Sequence, residues 1–236
     1  CVILSNHIPL IKLSSKDRLL LPFFLKKWGE FSEWNLEFQI VERLTEYDAV
    51  IATGSNNTAR YLEYYFKDAL SIIRKNRTSV AVIKGDETDE ELRSLGNDLF
   101  QYYGLGCRNV SYILFPKGYD LNLFFNAIVP FGEIINHHKY ANNYDYNRTV
   151  FLLNKIPILD NNFVILRESE DLFSPLAVIH YRYYDSSDQV NTFLSTNAEK
   201  IQAVVGKGYI PFGQAQCPKL NDYADGVDTM EFLSSL

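Results

Sequence analysis

The sequence predicts an α/β chain with largely parallel strand pairing. Apolar runs of strand length alternate with stretches of helical periodicity, and neither an internal repeat nor a low-complexity linker interrupts them. With 236 residues and 47% hydrophobic content, the chain can bury a substantial core in one or two domains.

Element by element, residues 2–13 supply strand-like material ending at Lys12, and Cys1-Val2-Ile3-Leu4 reads as a buried strand. Residues 19–28 have helical spacing, with Pro22 tolerated in the first turn. Asp48-Ala49-Val50-Ile51-Ala52 is a short buried strand that runs straight into Thr53-Gly54-Ser55, and helical periodicity resumes over 58–66. Ser79-Val80-Ala81-Val82-Ile83 is a second buried strand. The acidic turn 86–91 suits the positive end of a helix dipole, and Leu92, Leu95, Leu99 and Tyr103 make that helix's apolar stripe. Gly104-Leu105-Gly106 ends the helix, and 112–115 is a strand closed by Pro116-Lys117-Gly118. Strands at 163–166 and 176–181 flank a turn at Phe173-Ser174-Pro175, and 190–203 reads as helix.

Composition narrows the function. A net charge of -6 offers nothing to neutralise a phosphate backbone, which argues against nucleic acid as a partner. Cys1, Cys107 and Cys217 are an odd number without metal-ligand spacing, so neither a disulfide framework nor a metal site is expected, and a reduced cytoplasmic compartment fits better. No signal-peptide succession opens the chain, and the longest apolar runs are too short or too interrupted to span a bilayer. The chain opens on Cys1 inside an expected core strand, so it reads as a fragment that lacks its N-terminal part.

Cys107 is the leading candidate for chemistry. It follows a helix end in a glycine-rich loop, where backbone N–H groups can face an oxyanion, and Arg108 beside it favours a thiolate. A cysteine can equally be a small buried hydrophobe, and these local features alone leave both readings open. His137-His138 reads as a solvated pair in a polar loop, His180 as a core histidine, and Cys217 as structural.

Four segments then resemble the aldehyde dehydrogenase superfamily, in its order. Gly104-Leu105-Gly106-Cys107, with Arg108 and a strand ending Phe115-Pro116-Lys117, resembles the G-Q-x-C nucleophile loop. Ile51-Ala52-Thr53-Gly54-Ser55 resembles the F-T-G-S turn beside the dinucleotide, and Lys12-Leu13-Ser14-Ser15 the K-P-S-E segment at the adenosine ribose. Glu170-Asp171-Leu172-Phe173-Ser174-Pro175-Leu176 resembles E-E-I-F-G-P-V, which holds the nicotinamide ribose. The longer stretches 53–61, 104–111, 212–218 and 222–226 resemble the LuxC-type acyl-CoA reductase branch.

The resemblance implies a partial Rossmann-type cofactor domain over 1–84 and an α/β catalytic domain over 85–210. The segment 211–236 would return to the cofactor domain or form an oligomer interface. It implies Cys107 as nucleophile, Thr53, Gly54 and Ser55 at the pyrophosphate, Lys12 and Ser15 at the adenosine ribose, and Asp171 and Phe173 at the nicotinamide ribose. The implied reaction is reduction of long-chain fatty acyl-CoA to fatty aldehyde through a thioacyl enzyme, in a homo-oligomer or beside acyl-transferring partner subunits. Superfamily members draw a second oxyanion donor, an asparagine, from an N-terminal half that has no counterpart here.

Two departures refine this. The superfamily's E-L-G-G-K segment carries a glutamate that activates water, whereas Arg74-Lys75-Asn76-Arg77-Thr78 carries no carboxylate, so hydrolysis of the thioacyl enzyme would be slow. The ribose-binding glutamate of K-P-S-E is replaced by Ser15 with Lys16 next to it, which favours NADPH over NADH. The rivals are an acylating semialdehyde dehydrogenase of the same fold and a non-catalytic acyl-CoA or nucleotide-binding module.

Overall fold

The computed structural model describes residues 1–15, 17–32 and 36–236. Lys16, and with it the cofactor argument drawn from that residue, lies outside the described residues. Two compact units emerge, Cys1–Lys75 with Gly226–Leu236, and Asn76–Asp225. The division precedes the strand at 78–82, whereas the boundary expected from sequence at Lys84 follows it.

The first unit contains two small parallel sheets. β1 (Leu10–Ile11) pairs with β2 (Gln39–Ile40), and α1 (Leu20–Phe31) lies between them in sequence. β3 (Ala49–Thr53) pairs in parallel with β4 (Leu70–Arg74) through α2 (Asn56–Tyr65), a complete βαβ step. Val50 and Ile72 are buried on the sheet, and Ala59 and Phe66 on α2 and at its end. α7 (Thr229–Ser234) joins this unit, with Arg74 donating to Thr229 Oγ1 at 3.0 Å.

The second unit is built on a six-stranded sheet. Its strands are β5 (Thr78–Val82), β6 (Val110–Pro116), β7 (Leu159–Asp160), β8 (Ile165–Glu168), β9 (Val178–Tyr184) and β10 (Ile201–Gly206). They run in the order β10-β5-β6-β9-β8-β7, all parallel except the short antiparallel β7. A parallel sheet covered on both faces needs apolar residues on both, which is why β5 is buried at all five positions. Ala81, Ile113 and Phe115 face α3 (Asp89–Phe100) and α4 (Leu121–Ile128), where Leu92, Leu95, Leu99 and Phe124 meet them. Val80, Val82, Tyr112 and Leu114 face the other way, onto Val190 and Phe193 of α6 (Ser187–Thr196). α5 (His138–Leu153) covers Ile165 and Val178 through Tyr140, Tyr144 and Phe151.

Several sequence expectations change. Residues 1–6 form turns with Leu4 half-exposed, so the opening run is not a buried strand; the Cys1, Val2 and Ile3 carbonyls are taken by local turn bonds from Ser5, His7 and Asn6. The segment 201–206 is a strand, not the end of a helix. Its buried residues Ile201, Ala203 and Val205 alternate with period two, and α6 stops at Thr196. The stripe of α3 ends at Phe100, because Tyr102 and Tyr103 take left-handed backbone angles, φ 55° and 61°. His137 and His138 do not sit in a loop between elements: His138 opens α5, and the His137 ring stacks on Tyr103 with centroids 3.8 Å apart. Among the described residues, no helix is long and apolar enough to cross a membrane.

α3 is the element that delivers the chain to Cys107, and Thr88 and Glu91 fix its start by a reciprocal capping box. Leu95 is its fully buried centre. Leu95→Ala is expected to cost about 2–5 kcal/mol, read as a lowered urea midpoint.

Candidate active site

Cys107 is exposed, in the loop between α3 and β6. That loop is built by three consecutive left-handed residues, Tyr102, Tyr103 and Gly104, followed by Gly106 at φ +112°. Left-handed angles are unfavourable for tyrosine, so the surroundings must hold them. The stack of Tyr103 on His137 is one such constraint. Asn109 is another: its buried amide donates to the Gln101 carbonyl at 2.8 Å and the Asp98 carbonyl at 3.4 Å, capping the last turn of α3. From the sheet, the fully buried Ser79 donates its hydroxyl to the Cys107 carbonyl at 2.9 Å.

A second loop closes over the first. Asp98 is fully buried, and its carboxylate accepts the Gly213 N–H at 2.6 Å and the Ala215 N–H at 2.9 Å. Arg108, beside the cysteine, donates to the Ala215 carbonyl at 3.0 Å. The motif-like stretch 212–217 is therefore held against the Cys107 loop by one anion and one cation. Burial raises the Asp98 pKa to about 6, outweighing the two backbone bonds that lower it. Cys217, two residues on from Ala215, is exposed, so it fills no core position.

The segment carrying Asp171 and Phe173 lies on the same unit. Leu172 is buried in the sheet core, while Asp171 and Phe173 on either side of it are exposed. Two side chains from the strands bond the segment's backbone, and one of its own side chains anchors it to them. Tyr112 donates to the Ser169 carbonyl at 2.7 Å, the Nδ1 of His180 lies 2.7 Å from the Asp171 carbonyl, and Ser174 donates to Val178 and Ser111 carbonyls at 2.6 and 3.2 Å. A methyl group on Gly104 would come within 3.5 Å of Leu176, so this segment and the Cys107 loop adjoin. His180 is buried as expected, and burial lowers its pKa.

Thr53, Gly54 and Ser55 come together where β3 becomes α2. Ser55 caps the helix by accepting the Thr58 N–H, and no acidic residue lies in the first turn. Gly54 donates its N–H to Arg74, and a Cβ there would meet Thr58 at 2.8 Å, so only glycine fits. An uncapped-charge helix N-terminus behind a glycine is suited to a phosphate group. Lys12 and Ser15 line one small cavity of about 90 Å³ past the carboxyl ends of β1 and β2, together with Arg18 and Glu42. Residues fit to hold a nucleotide are thus present in the first unit. Arg18 and Glu42 escaped the sequence reading because β2 is two exposed residues without an apolar run.

The stretch 74–78 has no carboxylate of its own, and its cations are engaged. Lys75 pairs with Glu63 at 2.7 Å, and Arg77 pairs with Asp225 at 3.1 Å and donates to the Ile201 carbonyl.

No family model matches the sequence, and no curated protein sequence matches it either. Solved structures do. The P. syringae indole-3-acetaldehyde dehydrogenase AldA, in complex with NAD+ and IAA, matches 84% of this chain and 50% of its own, with TM-score 0.62 and 10% identity. The aldehyde dehydrogenase KauB from Pseudomonas aeruginosa gives the same coverage and TM-score at 11% identity. The fold is that of the aldehyde dehydrogenases. Staphylococcus aureus AldH, in a substrate-bound state, matches 84% of this chain and 51% of its own, with TM-score 0.59 and 13% identity. The chain spans about half the length of these aldehyde dehydrogenases, and at such identities the likeness concerns fold alone.

Asp98 provides a test of how the two loops are held. Its folded pKa lies above the unfolded carboxylate value near 3.9, so between about pH 4 and 6 the folded state holds the extra proton. Stability is therefore expected to fall as pH rises through that window, and Asp98→Asn should flatten the slope in urea unfolding measured from pH 4 to 7.

Proposed function

We propose that this chain is the nucleophile-bearing part of an acyl-CoA reductase of LuxC type, turning long-chain acyl-CoA into aldehyde through Cys107. The observation that carries the reading is the nucleophile loop: an exposed thiol whose own carbonyl is pinned by Ser79, on a turn held left-handed at two tyrosines. The second unit would hold the acyl group.

In this mechanism the Cys107 thiolate adds to the acyl-CoA carbonyl, the C–S bond to CoA breaks, and CoA leaves as thiolate. The backbone N–H of Cys107 stabilises the oxyanion. Thr53, Gly54 and Ser55 would hold the pyrophosphate, Lys12 and Ser15 the adenosine ribose, and Asp171 and Phe173 the nicotinamide ribose. When bound, the nicotinamide nucleotide supplies a hydride to the thioacyl carbon. Collapse of the thiohemiacetal then breaks the bond to Cys107, releasing aldehyde and restoring the thiolate.

Two features support the finer assignment. The stretch 74–78 offers no general base to water, and Asp225, which reaches it, is neutralised by Arg77; hydrolysis would then lose to reduction. Lys12 and Arg18 bring two cations to the small cavity against one carboxylate, Glu42, which supports the 2′-phosphate of NADPH over NADH. A cytoplasmic setting and an oligomer or acyl-transferring partners belong to the same proposal.

Incubation with radiolabelled long-chain acyl-CoA followed by a denaturing gel tests the reading. A label removable by hydroxylamine is expected on the wild type and none on Cys107→Ala, with NADPH discharging the label as aldehyde. Absence of label on folded wild-type protein would overturn the covalent mechanism and favour a binding module.

A further inference from the structure

His180 is an unusual residue for the middle of a parallel sheet. It lies on β9 opposite Tyr112 of β6 and Arg167 of β8 and is 2% exposed. The Asp171 carbonyl can only accept, so the 2.7 Å contact places the proton on Nδ1. Nε2 is then a bare acceptor, buried, with no partner among the described residues. A leucine would pack at such a position without leaving a nitrogen unpaired, so the histidine costs the fold stability; what it adds is the bond to Asp171.

That bond is not needed to keep the segment on the sheet. Tyr112 holds its start at Ser169, Ser174 holds its end, and Leu172 buries its centre. His180 acts between them, on the carbonyl of Asp171, whose carboxylate is exposed; the neighbouring exposed carboxylate, Glu170, is paired with Arg182 at 2.9 Å. Fixing that peptide fixes the direction in which the Asp171 side chain leaves the chain.

We propose that His180 is a positioning residue for the nicotinamide half of the cofactor, aiming the Asp171 carboxylate at the ribose through its bond to the Asp171 carbonyl. The inference rests on the nucleotide-binding reading above. It adds a residue that touches neither cofactor nor substrate, and it separates the two halves of the dinucleotide energetically. Losing the bond weakens the grip on the nicotinamide riboside and leaves the adenosine half untouched.

The test titrates the full chain with NADPH, followed by nicotinamide fluorescence, and with 2′,5′-ADP, which lacks the nicotinamide riboside. His180→Leu removes the donor and keeps the packing; His180→Asn returns an N–H close to the Nδ1 position. In His180→Leu, NADPH is expected to bind about tenfold more weakly with a diminished change in nicotinamide fluorescence, while 2′,5′-ADP binds as in wild type. His180→Asn is expected to recover most of the NADPH affinity. Unchanged NADPH binding in His180→Leu, or equal losses for both ligands, would overturn the positioning role while leaving the nucleotide site standing. Wild-type protein that binds neither ligand would overturn that site and this role with it.

Discussion

The Asp98 carboxylate is the group around which the second unit is arranged. A carboxylate withdrawn fully from water must be answered by donors, and here the donors are backbone N–H groups of a segment more than a hundred residues later in the chain. Through that one group, the last turn of α3 and the loop at 211–217 become a single body. Arg108 closes the same body from the other side by reaching Ala215. The exposed thiol between them is held by a frame made almost entirely of side chains bonded to main chain, which leaves the Cys107 side chain itself uncommitted.

The same device recurs along the sheet. Ser79, Asn109, Tyr112 and His180 each use a polar side chain to hold a carbonyl of a neighbouring loop. Loops at the rim of a parallel sheet cannot join its ladder, so their peptides need other partners. Supplying those partners from the strands beneath transfers the rigidity of the sheet to the loops, which is what a site on loops requires.

The sequence made part of this visible. The runs at 79–83 and 112–115 are buried on both sides and read as strands from composition alone; Thr53-Gly54-Ser55 and Gly104-Leu105-Gly106-Cys107 stood out because glycine and polar caps punctuate element ends. α5 stayed hidden because its buried stripe is Tyr140, Tyr144, Asn147 and Phe151, three rings and an amide that carry little hydropathy contrast. β10 reads as a continuation of the preceding helix because only the alternation of Ile201, Ala203 and Val205 separates them. The roles of Asp98, Ser79 and His180 could not be read at all. Each bonds to a backbone atom distant in sequence, and such a bond leaves no periodicity behind.

The left-handed pair before Cys107 has a consequence for the protein's evolutionary latitude. Tyr102 and Tyr103 are largely open to solvent, where most positions accept almost any residue. Their backbone withdraws that freedom, since β-branched side chains crowd a left-handed turn and only glycine, asparagine and a few others enter it cheaply. The rim of the thiol is thus a surface with the selectivity of an interior. Variation there is channelled toward glycine and asparagine, and the path of the main chain past Cys107 is insulated from it.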